Sequence, residues 1–113
     1  MKAPTITWQD FEKVEILVGT VLTAEPFPGA RNPALRMTVD FGPLGVKGTS
    51  AQITVRYKPE DLIGRQVLAV TNFPPKRIAG FRSEVLVLGA VPEEGDVVLL
   101  NVDEDVPNGT RVS

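Results

Sequence analysis

Leu35, Met37, Val39 and Phe41 alternate with Arg36, Thr38 and Asp40. A period of two puts one set toward a core and the other toward water, so the pattern predicts a half-buried strand with Arg36 on its wet face. Val14, Ile16 and Val18 begin a second run that continues through the β-branched Thr20, Val21 and Thr23, with Gly19 where a strand must bend. Further strands are expected over residues 46–55, 66–71, 85–88 and 97–102. Helical signals are brief. Thr7-Trp8-Gln9-Asp10 is a capping-box pattern that predicts a short helix to about Lys13, and Lys58-Pro59-Glu60-Asp61-Leu62 predicts one turn ended by Gly64. Residues 26–33 are expected to be a loop, and Gly42-Pro43-Leu44-Gly45 and Pro107-Asn108-Gly109 read as turns.

About six short, bent strands with a helical turn between the third and fourth predict an all-β fold. That order suggests a small closed barrel, and the expected fold is a five-stranded barrel of the oligonucleotide/oligosaccharide-binding type (OB-fold), with short helices and extra strands at the termini. With 113 residues, 42% of them hydrophobic, the chain is expected to form one domain around one modest core. It has no apolar run long enough for a membrane span, and its start lacks the apolar stretch of a signal peptide, so a cytoplasmic protein with no membrane insertion is expected. Cysteine and histidine are both absent. That removes disulfides, thiolate chemistry, the common zinc sites and the usual general base, so no catalytic residue, cofactor or metal is expected.

The net charge of −2 argues against a chain coated in nucleic acid, but its distribution is uneven. Residues 56–82 carry six cations against two acids, whereas residues 83–113 carry one cation against seven acids. Folding can gather such a sequence into one basic face. The loop expected between the strands at 66–71 and 85–88 concentrates chemistry suited to nucleic acid: Asn72, Phe73, Lys76, Arg77, Phe81, Arg82 and Ser83, stiffened by Pro74 and Pro75. Cations suit phosphates, aromatic faces suit unstacked bases, and amides and hydroxyls suit base edges and 2′-hydroxyls. Arg31, Arg36 and Arg56 extend the basic set, Tyr57 adds an aromatic ring, and Ser50 and Gln52 add polar groups at a strand end.

Each of these residues has a plain alternative. Arg82 can pair with Glu84, asparagine and serine often satisfy local backbone, and one of Phe73 and Phe81 is expected to be core. Trp8 is expected at a dimer contact or the barrel end. Residues 42–49 have P-loop ingredients in the wrong order and read as a hairpin turn.

The stretch from Asn72 to Leu88 resembles the tRNA-binding-domain family, particularly its CsaA-type branch. So do Asp10–Val14, Val39–Gly42, Ser50–Thr54, Tyr57–Gly64 and Gly95–Leu100, all in the same order along the chain. The family includes C-terminal domains of methionyl-tRNA synthetases and EMAP-II-like cytokines. The resemblance implies an OB-type barrel, a homodimer with its terminal segments packed around the barrels, and tRNA bound through the barrel face and loops. For the CsaA-type branch it also implies a chaperone role in protein secretion, with unfolded preproteins or peptides as a second ligand class. The chain departs from the wider family at Ala30-Arg31-Asn32-Pro33, where an Asp-Lys-Leu stretch is common, and at Ser83-Glu84-Val85-Leu86, where only the serine of Ser-x-Gly-Met is kept.

Overall fold

The computed structural model describes residues 2–113. Helix α1 (Trp8–Glu12) starts at the expected cap: the Thr7 hydroxyl accepts from the Asp10 amide at 3.1 Å, and the Asp10 carboxylate accepts from the Thr7 amide at 3.1 Å. The helix buries none of its residues, and Trp8 is 83% exposed, so this ring does not plug its own barrel. No helix among the described residues is long and apolar enough to cross a membrane.

The central sheet runs β3 (Val46–Ala51), β2 (Leu35–Asp40), β1 (Ile16–Pro26), β4 (Gln66–Val70), β7 (Leu86–Val87), with antiparallel pairing throughout. The long β1 serves two partners. Its first half pairs β4, its second half pairs β2, and the register shifts between Val21 and Thr23, where Leu22 bulges outward. A bulge adds twist and bend, which lets one strand pass from one wall of a barrel to the other. Helix α2 (Pro59–Leu62) closes one end. Asp61 accepts from the Lys58 amide at 3.0 Å, Leu62 is fully buried, and the Gly64 amide donates to the Val21 carbonyl at 2.8 Å.

The barrel closes along a seam between β3 and residues 83–85. There the Glu84 amide donates to the Gly48 carbonyl at 2.8 Å, the Thr49 hydroxyl to the Val85 carbonyl at 2.9 Å, and the Ser50 amide to the Ser83 hydroxyl at 3.1 Å. The result is a nearly closed five-stranded antiparallel barrel of the expected OB type. Its core holds Val21, Met37, Val39, Phe41, Leu62 and Val67.

Several boundaries differ from the pattern reading. The third strand stops at Ala51, the 85–88 strand shrinks to Leu86–Val87, and the last long strand is β9 (Asp96–Leu99), paired with an unforeseen β8 (Gly89–Glu93). Residues 76–83, read as loop, form a hairpin of β5 (Lys76–Ile78) and β6 (Phe81–Ser83). The C-terminal β10 (Arg111–Val112) pairs β1. Gln66 fixes the preceding segment by exchanging hydrogen bonds with the Val106 backbone at 2.7 and 3.1 Å.

Gly19 is required by packing as well as by bending. A Cβ there would lie 2.6 Å from Val39 Cγ1 and 2.7 Å from Phe41 Cδ1, both on fully buried side chains. Gly19→Ala should therefore destabilise the fold by about 1–3 kcal/mol, the range of core overpacking, read from the urea midpoint. A midpoint equal to wild type would contradict this packing.

Candidate nucleic-acid interface

The β5–β6 hairpin turns at Ala79 (φ 49°) and Gly80 (φ 81°). Two successive positive φ angles match the twist of a tight hairpin, and alanine there gives up some stability for the turn. The register sets Lys76 opposite Ser83, Arg77 opposite Arg82 and Ile78 opposite Phe81. Two arginines directly opposed across a strand pair repel each other. One partial compensation is Glu84, whose Oε1 lies 3.6 Å from Arg82 Nε while its Oε2 accepts from the Gly48 amide at 3.0 Å. The Arg77 guanidinium donates to the Gly80 carbonyl at 3.3 Å.

Phe27, in the β1–β2 loop, is the member of this region that the pattern reading passed over. Its buried ring meets Phe81 edge-on, with centroids 5.5 Å apart and planes at 72°. The Arg36 guanidinium lies 5.5 Å above the same ring and donates from Nε to Glu25 at 2.6 Å. Gly29 approaches Ala79 so closely that an added Cβ would be 3.1 Å from the alanine methyl. The β1–β2 loop, carrying the exposed Arg31, is thus packed against the hairpin tip. The signal available in sequence was a phenylalanine flanked by Pro26 and Pro28, the one large apolar side chain in the 26–33 loop.

Below the hairpin lies a cleft of about 400 Å³. Phe73, Ile78, Val85 and Leu86 supply its apolar surface, and Ser50, Gln52, Lys76, Ser83 and Glu84 its polar lining. Five candidate residues, Ser50, Gln52, Phe73, Lys76 and Ser83, therefore converge on one cleft. Between the two phenylalanines the structure distinguishes clearly: Phe81 packs on Phe27, whereas Phe73 stays 53% exposed.

Other candidates are engaged elsewhere. Asn72 accepts from the Glu15 amide at 2.9 Å and donates to the Lys13 carbonyl at 2.7 Å, tying the hairpin's base to the end of α1. The Tyr57 hydroxyl accepts from the Leu99 amide at 3.0 Å, and Arg65 covers its ring at 5.3 Å. Arg56 forks onto Asp96, with Nη2 donating to Oδ2 at 2.8 Å, and so holds the β8–β9 hairpin to the loop after β3. Among the described residues, Arg31, Lys76 and Arg77 have no carboxylate partner.

The hydrogen bond and charge of Arg56 hold the Asp96 carboxyl below the ordinary aspartate range, and Asp96 in turn raises Arg56. A depressed folded-state pKa gives stability that is present above the unfolded value and lost as pH falls through the folded one. The tether should thus hold at neutral pH and release in acid, below the ordinary aspartate range. Arg56→Ala should return the Asp96 carboxyl titration, followed by NMR, toward ordinary values; an unchanged midpoint would contradict the pairing.

Comparison with known proteins agrees with this architecture. The family model described as "Putative tRNA binding domain" matches residues 16–111. The chaperone CsaA of Bacillus anthracis superposes with a TM-score of 0.93 at 59% identity, covering 97% of this chain and 100% of that one. The CsaA chaperone of Picrophilus torridus gives 0.88 at 44%, covering 96% and 100%. A methionine–tRNA ligase of Flavobacterium johnsoniae is 36% identical over 108 residues, which is 96% of this chain but 15% of the ligase. The chain thus spans only a small fraction of the ligases it matches. With a family model covering most of its length and near-complete structural overlap with two CsaA proteins, this chain belongs to the tRNA-binding-domain family.

Proposed function

We propose that the chain is a non-catalytic tRNA-binding protein of the CsaA type that grips RNA with the β5–β6 hairpin and the adjoining β1–β2 loop. The observation that carries this reading is the cross-strand pair Arg77–Arg82, two like-charged residues directly opposed in register on an exposed hairpin, beside Lys76, which has no carboxylate partner among the described residues. A hairpin built only to join strands has no use for that repulsion, and a phosphate between the two guanidiniums relieves it. Arg31 and Arg36 extend the basic surface through the Phe27–Phe81 contact. The exposed ion pairs of Arg36 and Arg82 do not oppose the reading, because such pairs contribute little and exchange readily for a phosphate.

A homodimer would double this surface. Ile6 and Trp8 are 61% and 83% exposed beside a helix that buries nothing, an apolar patch suited to a second copy. A second reading, a chaperone for unfolded preproteins or peptides, is favoured by the apolar cleft below the hairpin and by the name of the CsaA neighbours. Phe73 and Ile78 line that cleft, whereas Phe81 is turned onto Phe27. Competition between tRNA and an unfolded polypeptide separates the readings: mutual exclusion means one shared surface, independent binding two.

If a site engages about four phosphates, log K should fall with log salt at a slope near −3, at ~0.7 per single-strand phosphate. Joint replacement of Lys76, Arg77 and Arg82 by alanine should weaken tRNA binding and flatten the slope toward about −1. Folding stability should stay within ~0.5 kcal/mol of wild type, since all three side chains are on the surface. Affinity and slope equal to wild type in a salt-titrated binding assay would contradict the proposal.

A further inference from the structure

We infer that the cleft beneath Phe73 receives a single unstacked nucleobase, so that the protein engages a single-stranded stretch of RNA at this point as well as phosphates. The inference rests on the RNA-binding reading and adds the class of ligand the cleft takes. Its volume of about 400 Å³ lies near the lower end of small-ligand clefts, which span roughly 300–1,000 Å³. Its apolar lining is formed by Ile78, Val85 and Leu86, and it bears an aromatic ring that is half exposed. A phenylalanine needed only for packing would be turned onto a neighbouring ring, as the half-buried Phe81 is onto Phe27. Phe73 is instead held out on a segment stiffened by Pro74 and Pro75 and anchored by Asn72, so the ring is pre-organised before any ligand arrives.

The polar lining also has free capacity. Among the described residues, the Ser50 hydroxyl and the Gln52 amide have no hydrogen-bond partner in the protein. The Ser83 hydroxyl accepts from the Ser50 amide and keeps its own proton to donate. These are the groups that read base edges or a 2′-hydroxyl once a base has left its stack. Charge sets the orientation. Exposed Lys76 attracts a phosphate, with Arg77 and Arg82 continuing along the hairpin, while the Glu84 carboxylate in the same cleft repels one. A nucleotide is therefore placed with its phosphate toward the hairpin and its base against Phe73. A fully paired duplex offers no free base face to this ring.

The test uses an oligoribonucleotide carrying one 2-aminopurine, compared with a fully paired hairpin RNA. Wild type should quench the fluorophore in the single strand. Phe73→Ala and Phe73→Leu should weaken single-strand binding roughly 5- to 150-fold, the span seen for loss of one stacked base, while Phe73→Tyr keeps it. Binding of the paired RNA and its salt slope should change less than about twofold, and melting temperatures should match wild type because the ring is exposed. Full single-strand affinity in Phe73→Ala, or equal loss for both RNAs, would overturn the inference while leaving the phosphate-binding reading in place. Failure of wild type to bind either RNA would instead overturn that underlying reading. Loss of unfolded-polypeptide binding in Phe73→Ala, with RNA binding intact, would assign the cleft to peptides and overturn the inference.

Discussion

The structure depends on the seam that joins β3 to residues 83–85. Thr49 is the one buried polar side chain among the described residues, and its hydroxyl donates to the Val85 carbonyl within the seam. Leaving such a buried acceptor unpaired costs about 1–3 kcal/mol, so the hydroxyl fixes which residues of the two segments meet. On one side of it, Gly48 and Glu84 exchange backbone and side-chain hydrogen bonds; on the other, the Ser50 amide donates to Ser83. Gly48 allows the close approach here, because a Cβ would lie 3.0 Å from both the Arg82 carbonyl and the Phe81 ring, a tight contact that a neighbour would have to relieve. This closure carries the basic hairpin back over β3 and brings residues more than thirty positions apart into one cleft.

What the seam assembles is a surface with two chemistries. The hairpin face and the β1–β2 loop carry exposed guanidinium and ammonium groups, and the cleft below carries an exposed aromatic ring beside apolar side chains. Phe27 joins the two by packing against Phe81 under the Arg36 guanidinium, so the β1–β2 loop and the β5–β6 hairpin are packed together. The Arg56–Asp96 pair plays a different part. It fixes the β8–β9 hairpin to the loop after β3, away from the cations of the β5–β6 hairpin.

Much of this was legible in the chain. Alternation from Leu35 to Phe41 located β2 and its wet face, the Thr7–Asp10 spacing located the α1 cap, and the helical turn after the third strand suggested the barrel that the family resemblance also implied. The β5–β6 hairpin was harder to see, because its strands are three residues long and largely polar, and its turn is Ala79-Gly80 rather than asparagine-glycine. Strand β8 carries Pro92 and Glu93, which depress any strand signal, and β10 has only two residues. Side-chain partners were out of reach for another reason. Asn72 meets Lys13 and Glu15, and Arg56 meets Asp96, across separations of 40 to 59 residues that only the folded barrel brings together. The concentration of cations, aromatics and hydroxyls between residues 72 and 83 could be read directly. Which of them stay exposed and which hold the fold could not.

The most direct test of the account is amide chemical-shift mapping during titration with tRNA at low salt. The account predicts that the largest changes fall on residues 27–36, 50–52 and 72–84, which the seam gathers onto one face, and that they fade together as salt is raised. Changes centred on α2 or the β8–β9 hairpin, with the 72–84 segment silent, would contradict it.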